Sequence, residues 1–109
     1  MSYLFNISIV IPASRKQAFI DWANGEGRLA AASDTLRGFN CLMVPAIPGD
    51  KDFDRSPDRT FSLQMKFDSL KDCRAWHVSN FDALMGSYAR WHGPDPLFFA
   101  TILKDTTAV

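Results

Sequence analysis

The chain has 109 residues, the length of one domain, and 47% of them are hydrophobic and 13% aromatic, so an ordered core is expected rather than intrinsic disorder. Twelve basic and twelve acidic residues cancel, and no basic stripe is present, which argues against nucleic-acid binding. No apolar run reaches the ~20 residues of a membrane span, and no basic residue precedes the N-terminal apolar stretch, so the sequence predicts a single cytoplasmic domain over residues 1–109.

The first third of the chain predicts a strand followed by a helix. Residues 3–11 alternate in the manner of a strand, and Pro12 ends it. Ser14 and Gln17 have the spacing of a capping box, which predicts a helix start. Residues 24–27 contain two glycines and are expected to weaken or kink this helix, since each glycine costs about 1 kcal/mol there. The apolar stripe of the helix is expected at Ala18, Phe19, Trp22 and Ala23.

The middle of the chain predicts two more strands separated by a polar loop. Helix is expected to resume over residues 28–33, and residues 39–47 then form a strand. Residues 49–58 are a polar loop, and residues 60–67 alternate cleanly as a third strand. No group of side chains has the spacing of a metal or phosphate site, so neither a metal nor a cofactor is predicted.

Residues 69–93 predict the longest helix. Ser69, followed three residues later by Asp72, can cap its first turn, and Gly93 with Pro94 ends it. Residues 97–103 form the last strand. The apolar stripe of the helix is predicted at Leu70, Cys73, His77, Phe81, Leu84, Tyr88 and Trp91.

The order strand, helix, strand, strand, helix, strand is typical of the α+β ferredoxin-like βαββαβ fold. Its four-stranded antiparallel sheet carries both helices on one face, because the crossovers are right-handed. The other face would expose large apolar residues, since the first and last strands are apolar on both sides. A second copy of the chain is the expected cover, which predicts a homodimer.

Candidate site residues lie on the long helix and the strands. His77 is a candidate base or ligand in a pocket between helix and sheet, or a hydrogen-bonded core histidine. Trp22, Tyr88 and Trp91 are either core aromatics or the walls of an apolar pocket.

Small polar residues recur on two strands that are neighbours in this topology. They form either cross-strand and dimer-interface hydrogen bonds or the polar wall of a ligand site. Cys41 and Cys73 are expected to be free, buried thiols. The polar residues concerned are Asn6, Ser8, Ser62 and Gln64.

The size and element order resemble the dimeric α/β-barrel superfamily. Some antibiotic-biosynthesis-type monooxygenases in it use an asparagine on strand one with a tryptophan and a later histidine on the second helix, which Asn6 and Trp76 resemble. The histidine of that pattern would fall near Gly86, and His77 lies elsewhere, so the resemblance does not extend to haem degradation.

A second branch, of small bacterial domains of unknown function with the same fold, is more similar. The resemblance lies in residues 61–65 and 99–103, around Trp76, and at Trp22. Residues 24–27 depart from it, because those relatives carry a bulkier segment there. This branch implies the fold and a dimer, with no particular chemistry.

Three functions are consistent with this reading. The preferred one is a homodimer that binds a small apolar or aromatic molecule in a helix–sheet pocket. The second is a cofactor-independent monooxygenase on an aromatic substrate, with Asn6, Trp76 and His77 polarising or deprotonating it. The third is a structural dimerisation module, whose interior would lack a pocket of ~300 Å³ or more.

Overall fold

The computed structural model describes residues 2–31, 41–42 and 57–107. The strands are β1 (Tyr3–Pro12), β2 (Cys41–Leu42), β3 (Asp58–Phe67) and β4 (Leu97–Lys104). The three long strands form an antiparallel sheet with β1 in the middle, and β2 pairs with β3 at one edge, so the order is β2-β3-β1-β4. This order and pairing are those of the predicted ferredoxin-like arrangement. The remainder of the strand predicted over residues 39–47 lies outside the described residues, as does most of the 49–58 loop.

The first helical segment follows β1 directly. A 3₁₀ turn (Ala13–Arg15) leads into α1 (Lys16–Trp22), a π turn (Ala23–Gly27) and α2 (Arg28–Ala31).

The second helical segment joins β3 to β4. It consists of α3 (Leu70–Trp76), a π turn (His77–Phe81) and α4 (Asp82–His92), which together run continuously over residues 70–92.

The core lies between the helical segments and one face of the sheet, called here the inner face. Alternate residues of β1 and β3 point to it, because side chains along a strand alternate between faces. Phe19 of α1 and Leu84 and Tyr88 of α4 are fully buried against that face. The buried strand residues are Phe5, Ile7, Ile9, Ile11, Phe61, Leu63, Met65 and Phe67.

The predicted cap of the first helix is wrong. Ser14 lies inside the 3₁₀ turn, whose preceding residue is Pro12, and no side chain caps either that turn or α1. Gln17 instead donates from Nε2 to Oδ1 of Asp21 one turn later, at 3.1 Å. Ala18, predicted on the apolar stripe, is exposed.

The glycine-containing stretch of the first helical segment forms a π turn. Gly27 is buried, and a Cβ atom there would lie 3.0 Å from the indole ring of Trp22. Glycine therefore permits the close approach of the helix backbone to that ring.

The predicted ends of the long helix are confirmed. The backbone N–H of Asp72 donates to Oγ of Ser69 at 3.1 Å, which caps the first turn. Gly93 follows α4 with φ of 90°, the left-handed region that glycine adopts without steric cost.

The predicted stripe of this helix is wrong at His77, which is exposed, whereas Trp76 is buried. The cause is the π turn over His77–Phe81, which takes up one residue more than an α-turn. The stripe therefore runs from Trp76 to the half-buried Phe81 in a step of five residues. Among the described residues, no helix is both long enough and apolar enough to cross a bilayer.

Candidate functional site

A cleft of about 340 Å³ lies between the second helical segment and β4. β4 is an edge strand, and the helices cover its inner face only in part, so Ile102 remains 40% exposed. The cleft is lined by Phe5, Arg74, His77, Ala100, Thr101 and Ile102.

An aromatic wall forms one side of this cleft. The imidazole of His77 stacks on the ring of Phe81, with centroids 4.7 Å apart and planes at 25°. The same imidazole lies 5.6 Å from the ring of Phe5, which in turn lies 5.1 Å from the ring of Trp76. The wall joins the cleft to the core, because Phe5 and Trp76 are both buried.

The three residues predicted to act together in catalysis do not meet. Only His77 lines the cleft. Trp76 is buried, and its Nε1–H donates to the carbonyl oxygen of Ala31 at 2.8 Å, so this N–H is already used in the core. Asn6 lies on the opposite, outer face of the sheet, because the neighbouring odd-numbered residues of β1 point inward. The pairing of Asn6 with Trp76 is therefore wrong.

The four small polar residues do share a strip, as predicted, and it lies on the outer face. Gln64 Nε2 donates to Ser62 Oγ at 3.0 Å, and Ser62 Oγ donates to Asn6 Oδ1. Asn6 Nδ2 then donates to Ser8 Oγ at 3.2 Å. The register pairs Asn6 with Gln64 and Ser8 with Ser62, so the chain of hydrogen bonds crosses from β3 to β1.

The predicted pocket aromatics form a packed cluster on the inner side. The ring of Tyr88 lies 5.6 Å from Trp22 and 6.1 Å from Trp91, and Phe19 closes the group 5.6 Å from both tryptophans. Trp22 Nε1 donates to Oγ of the buried Ser87 at 3.1 Å. None of the three predicted residues lines the cleft beside His77.

Trp22 and Trp91 do border a second depression, of about 320 Å³, on the first helical segment. Its lining includes the exposed side chains of Asp21 and Glu26. Among the predicted ligand-binding residues, the structure therefore separates the aromatic cluster from Ser62 and Gln64 on the outer face.

Two buried groups have raised pKa values. Burial raises the pKa of Tyr88 to about 12, against a smaller opposing effect of the Arg15 charge. The Tyr88 hydroxyl has no hydrogen-bond partner among the described residues. Burial likewise raises the pKa of the Cys73 thiol, which is free as predicted, so this thiol is kept in its unreactive protonated form.

Sequence reasoning missed most of the cleft residues. Arg74 precedes His77 by three residues, a spacing that places two helical side chains side by side. The sequence alone could therefore have predicted that Arg74 lies beside His77. The position of Ala100 and Ile102 near the helix could not be predicted from the sequence, because it depends on the tertiary packing of an edge strand.

No known protein family matches the sequence, and no curated protein does. Solved structures do match. An ethyl tert-butyl ether D (EthD) family protein from Bacillus halodurans is 14% identical, with a TM-score of 0.64 over 97% of this chain and 100% of that one. The chain has the ferredoxin-like fold. The predicted ferredoxin-like fold is thereby confirmed.

Two further structures show that proteins with this fold need not share a biochemical activity. A protein from Nitrosomonas europaea named as a candidate antibiotic biosynthesis monooxygenase is 13% identical, with a TM-score of 0.58 over 97% of this chain and 91% of that one. The de novo designed protein Foldit4 is 7% identical, with a TM-score of 0.60 over 96% of this chain and 99% of that one. A function for this chain must therefore be argued from its own site.

Proposed function

We propose that the protein is a homodimer that binds a small apolar or aromatic molecule in the cleft between the second helical segment and β4. The observation that carries the proposal is the cleft itself. Its volume of about 340 Å³ lies within the ~300–1,000 Å³ range of small-molecule sites. The interior of a structural dimerisation module would lack a pocket of this size.

The lining of the cleft supports an aromatic or apolar occupant. The imidazole of His77, stacked on Phe81, offers a ring face on the helical side. Ala100 and Ile102 offer aliphatic surface on the other. A flat aromatic molecule would contact both sides and would replace water over apolar surface, which is favourable in proportion to the area covered.

The outer face of the sheet supports the dimer. Phe99 is paired with Ser8 and Leu103 with Leu4, so both side chains point outward. Phe99 is 63% exposed and Leu103 is 51% exposed, and Leu97 on the same face is 50% exposed. A row of large apolar side chains beside a hydrogen-bonded polar strip is suited to a two-fold contact, in which the same surface serves both copies.

A second candidate is a cofactor-independent monooxygenase on an aromatic substrate. The observation that favours it is the imidazole of His77, a group able to accept a proton, on the wall of an apolar cleft. Asn6 and Trp76 take no part in this version. Oxygen uptake with an electron-rich naphthol that is lost in His77→Gln, with the melting temperature retained, supports it, and equal uptake in that variant excludes His77 from catalysis.

The binding proposal is tested by titrating the isotope-labelled protein with 2-naphthamide, a neutral two-ring probe. We expect the methyl signals of Ala100 and Ile102 to shift in a saturable manner. Ala100→Trp fills the cleft and should weaken binding at least about tenfold. Ala83→Trp makes the same change at an exposed helical site outside the cleft and should leave binding unchanged.

The proposal is contradicted by either of two results. The first is no shift of the cleft methyl signals at millimolar probe. The second is saturable binding that Ala100→Trp leaves at the wild-type strength, which would place the probe elsewhere.

A further inference from the structure

We infer that the cleft selects aromatic molecules that carry an acidic group, with Arg74 and His77 receiving a carboxylate while the ring lies on the exposed apolar surface of β4. This inference rests on the proposed function and names the chemical class of its ligand.

The polar groups of the cleft are concentrated on its helical wall. Arg74 lies in the last turn of α3, and His77 is the first residue of the π turn, three residues later. The two side chains are therefore neighbours on one helix face. Both line the cleft, together with Thr101 at its strand side. No aspartate or glutamate is among the described residues that line the cleft.

Arg74 is available for a ligand. Its side chain is exposed, and within the described part of the chain no ion pair or hydrogen bond holds its guanidinium. A guanidinium presents N–H donors in a fork that matches the two oxygens of a carboxylate. A guanidinium at the rim of an apolar cleft therefore favours an anion over a neutral group of the same shape.

His77 adds a donor at the same wall. Stacking on Phe81 at 4.7 Å and contact with Phe5 at 5.6 Å fix the plane of the imidazole. A neutral imidazole carries one N–H donor, and a charged one carries two. The ring thus serves both parts of the ligand, because its face continues the aromatic wall and its edge can donate to an oxygen.

The opposite wall accounts for the aromatic part of the ligand. Ala100 and Ile102 are separated by one residue of β4, so they point to the same side and leave a flat aliphatic surface. An acid with a planar ring can place its ring on this surface, beside Phe5 of the paired strand, while its carboxylate reaches the helical wall. A small inorganic anion gains nothing from these apolar surfaces.

The test compares 2-naphthoate with 2-naphthamide, which have the same shape and differ in charge. We expect the wild type to bind the acid about tenfold more tightly than the amide, and the difference to shrink with added salt because the site is exposed. Arg74→Gln should remove most of this preference and leave amide binding within about twofold of the wild type. Arg74→Lys should keep part of the preference, because the charge remains and the fork is lost.

Two matched variants separate the local effect from net charge and from ring packing. Arg90→Gln removes the same charge from an exposed position on the same helical segment, outside the cleft, and should leave the preference intact. His77→Phe keeps a ring to stack on Phe81 and removes the N–H, so it should weaken acid binding and spare amide binding.

Three outcomes are decisive. An acid preference that Arg74→Gln removes and Arg90→Gln does not supports the inference. Equal binding of both probes, blocked for both by Ala100→Trp, overturns the inference and leaves the proposed function standing. Absence of binding by either probe at millimolar concentration overturns the proposed function and the inference with it.

Discussion

The guanidinium of Arg15 lies 4.0 Å from the ring centroid of Trp91 and donates from Nη2 to the carbonyl oxygen of the same residue at 2.8 Å. Its Nη1 donates to the carbonyl oxygen of His92 at 2.9 Å. Arg15 belongs to the 3₁₀ turn after β1, and Trp91 to the last turn of α4, so one side chain ties the start of the first helical segment to the end of the second. A positive charge is favourable there, because the terminal carbonyl groups of a helix carry partial negative charge.

Arg15→Ala should therefore lower the free energy of unfolding by about 2 kcal/mol, since it removes two charge-assisted hydrogen bonds and a cation–π contact. Arg15→Lys should lose an intermediate amount, because an ammonium cannot bridge two carbonyl oxygens as a guanidinium does. Lys16→Ala removes the same charge from the adjacent, exposed residue and should cost less than about 0.5 kcal/mol. Urea unfolding measures the stability of all three variants. Equal losses of stability in Arg15→Ala and Lys16→Ala would show that the contacts of Arg15 do not stabilise the protein.

Gly93 and Gly25 form a second matched pair. At either position a Cβ atom would meet no heavy atom of the described residues within 4 Å, apart from its chain neighbours and its own helix backbone, so substitution by alanine tests the backbone conformation. Gly93 has φ of 90°, and Gly93→Ala should cost about 1–2 kcal/mol because an L-residue is strained there.

Gly25 lies in the π turn within the first helical segment, where alanine restricts the unfolded chain without steric conflict. Gly25→Ala should thus stabilise the protein by about 0.5–1 kcal/mol. The two substitutions should move the melting temperature in opposite directions. A loss of stability in Gly25→Ala would show that the π turn needs glycine at that position.

These positions also show why parts of the fold could be predicted from the sequence. Ser69 and Gly93 mark helix ends through interactions that depend on neighbouring residues alone, a side-chain cap and a left-handed φ. The alternation of β1 likewise separates Ile7 and Ile9 from Asn6 and Ser8 without knowledge of the rest of the chain.

The site was less predictable because it depends on irregularity and on distant contacts. The prediction of an apolar stripe assumes an uninterrupted α-helix. The π turn changes the spacing of the buried positions, so Trp76 is buried and His77 is exposed. Alternation in β1 shows that Asn6 and Ile7 face opposite ways, but only the packing of the helices decides which face is inner. The cleft joins Arg74 to Ile102, which are far apart in sequence and meet only in the folded chain.

The proposed dimer predicts that a charge on the outer face separates the copies. Phe99→Asp should convert the protein from dimer to monomer at micromolar concentration, since an unpaired carboxylate would be buried at the contact. Val78→Asp makes a comparable change on the second helical segment, where Val78 is 84% exposed, and should leave the dimer intact. Sedimentation velocity measures both, and a monomeric wild type would refute the dimer outright.

The buried hydroxyl of Tyr88 is expected to make the protein less stable in alkaline solution. Its pKa is raised from 10.0 to about 12 in the folded protein, chiefly by burial. Because the folded state holds this proton more tightly than the unfolded state, its contribution is fully present below about pH 10 and is lost as the pH rises toward about 12. The full effect is on the order of 2–3 kcal/mol, of which about 1 kcal/mol should be lost by pH 11.

Tyr88→Phe removes the titrating hydroxyl and keeps the ring. Its free energy of unfolding should therefore fall less than that of the wild type between pH 9 and about pH 11, as measured by urea unfolding. At pH 7 the variant should be as stable as the wild type or slightly more so, because the hydroxyl is buried without a hydrogen-bond partner among the described residues. A loss above about 1 kcal/mol at pH 7 would show that the hydroxyl donates a hydrogen bond in solution, and an unchanged alkaline slope would show that it is exposed to water.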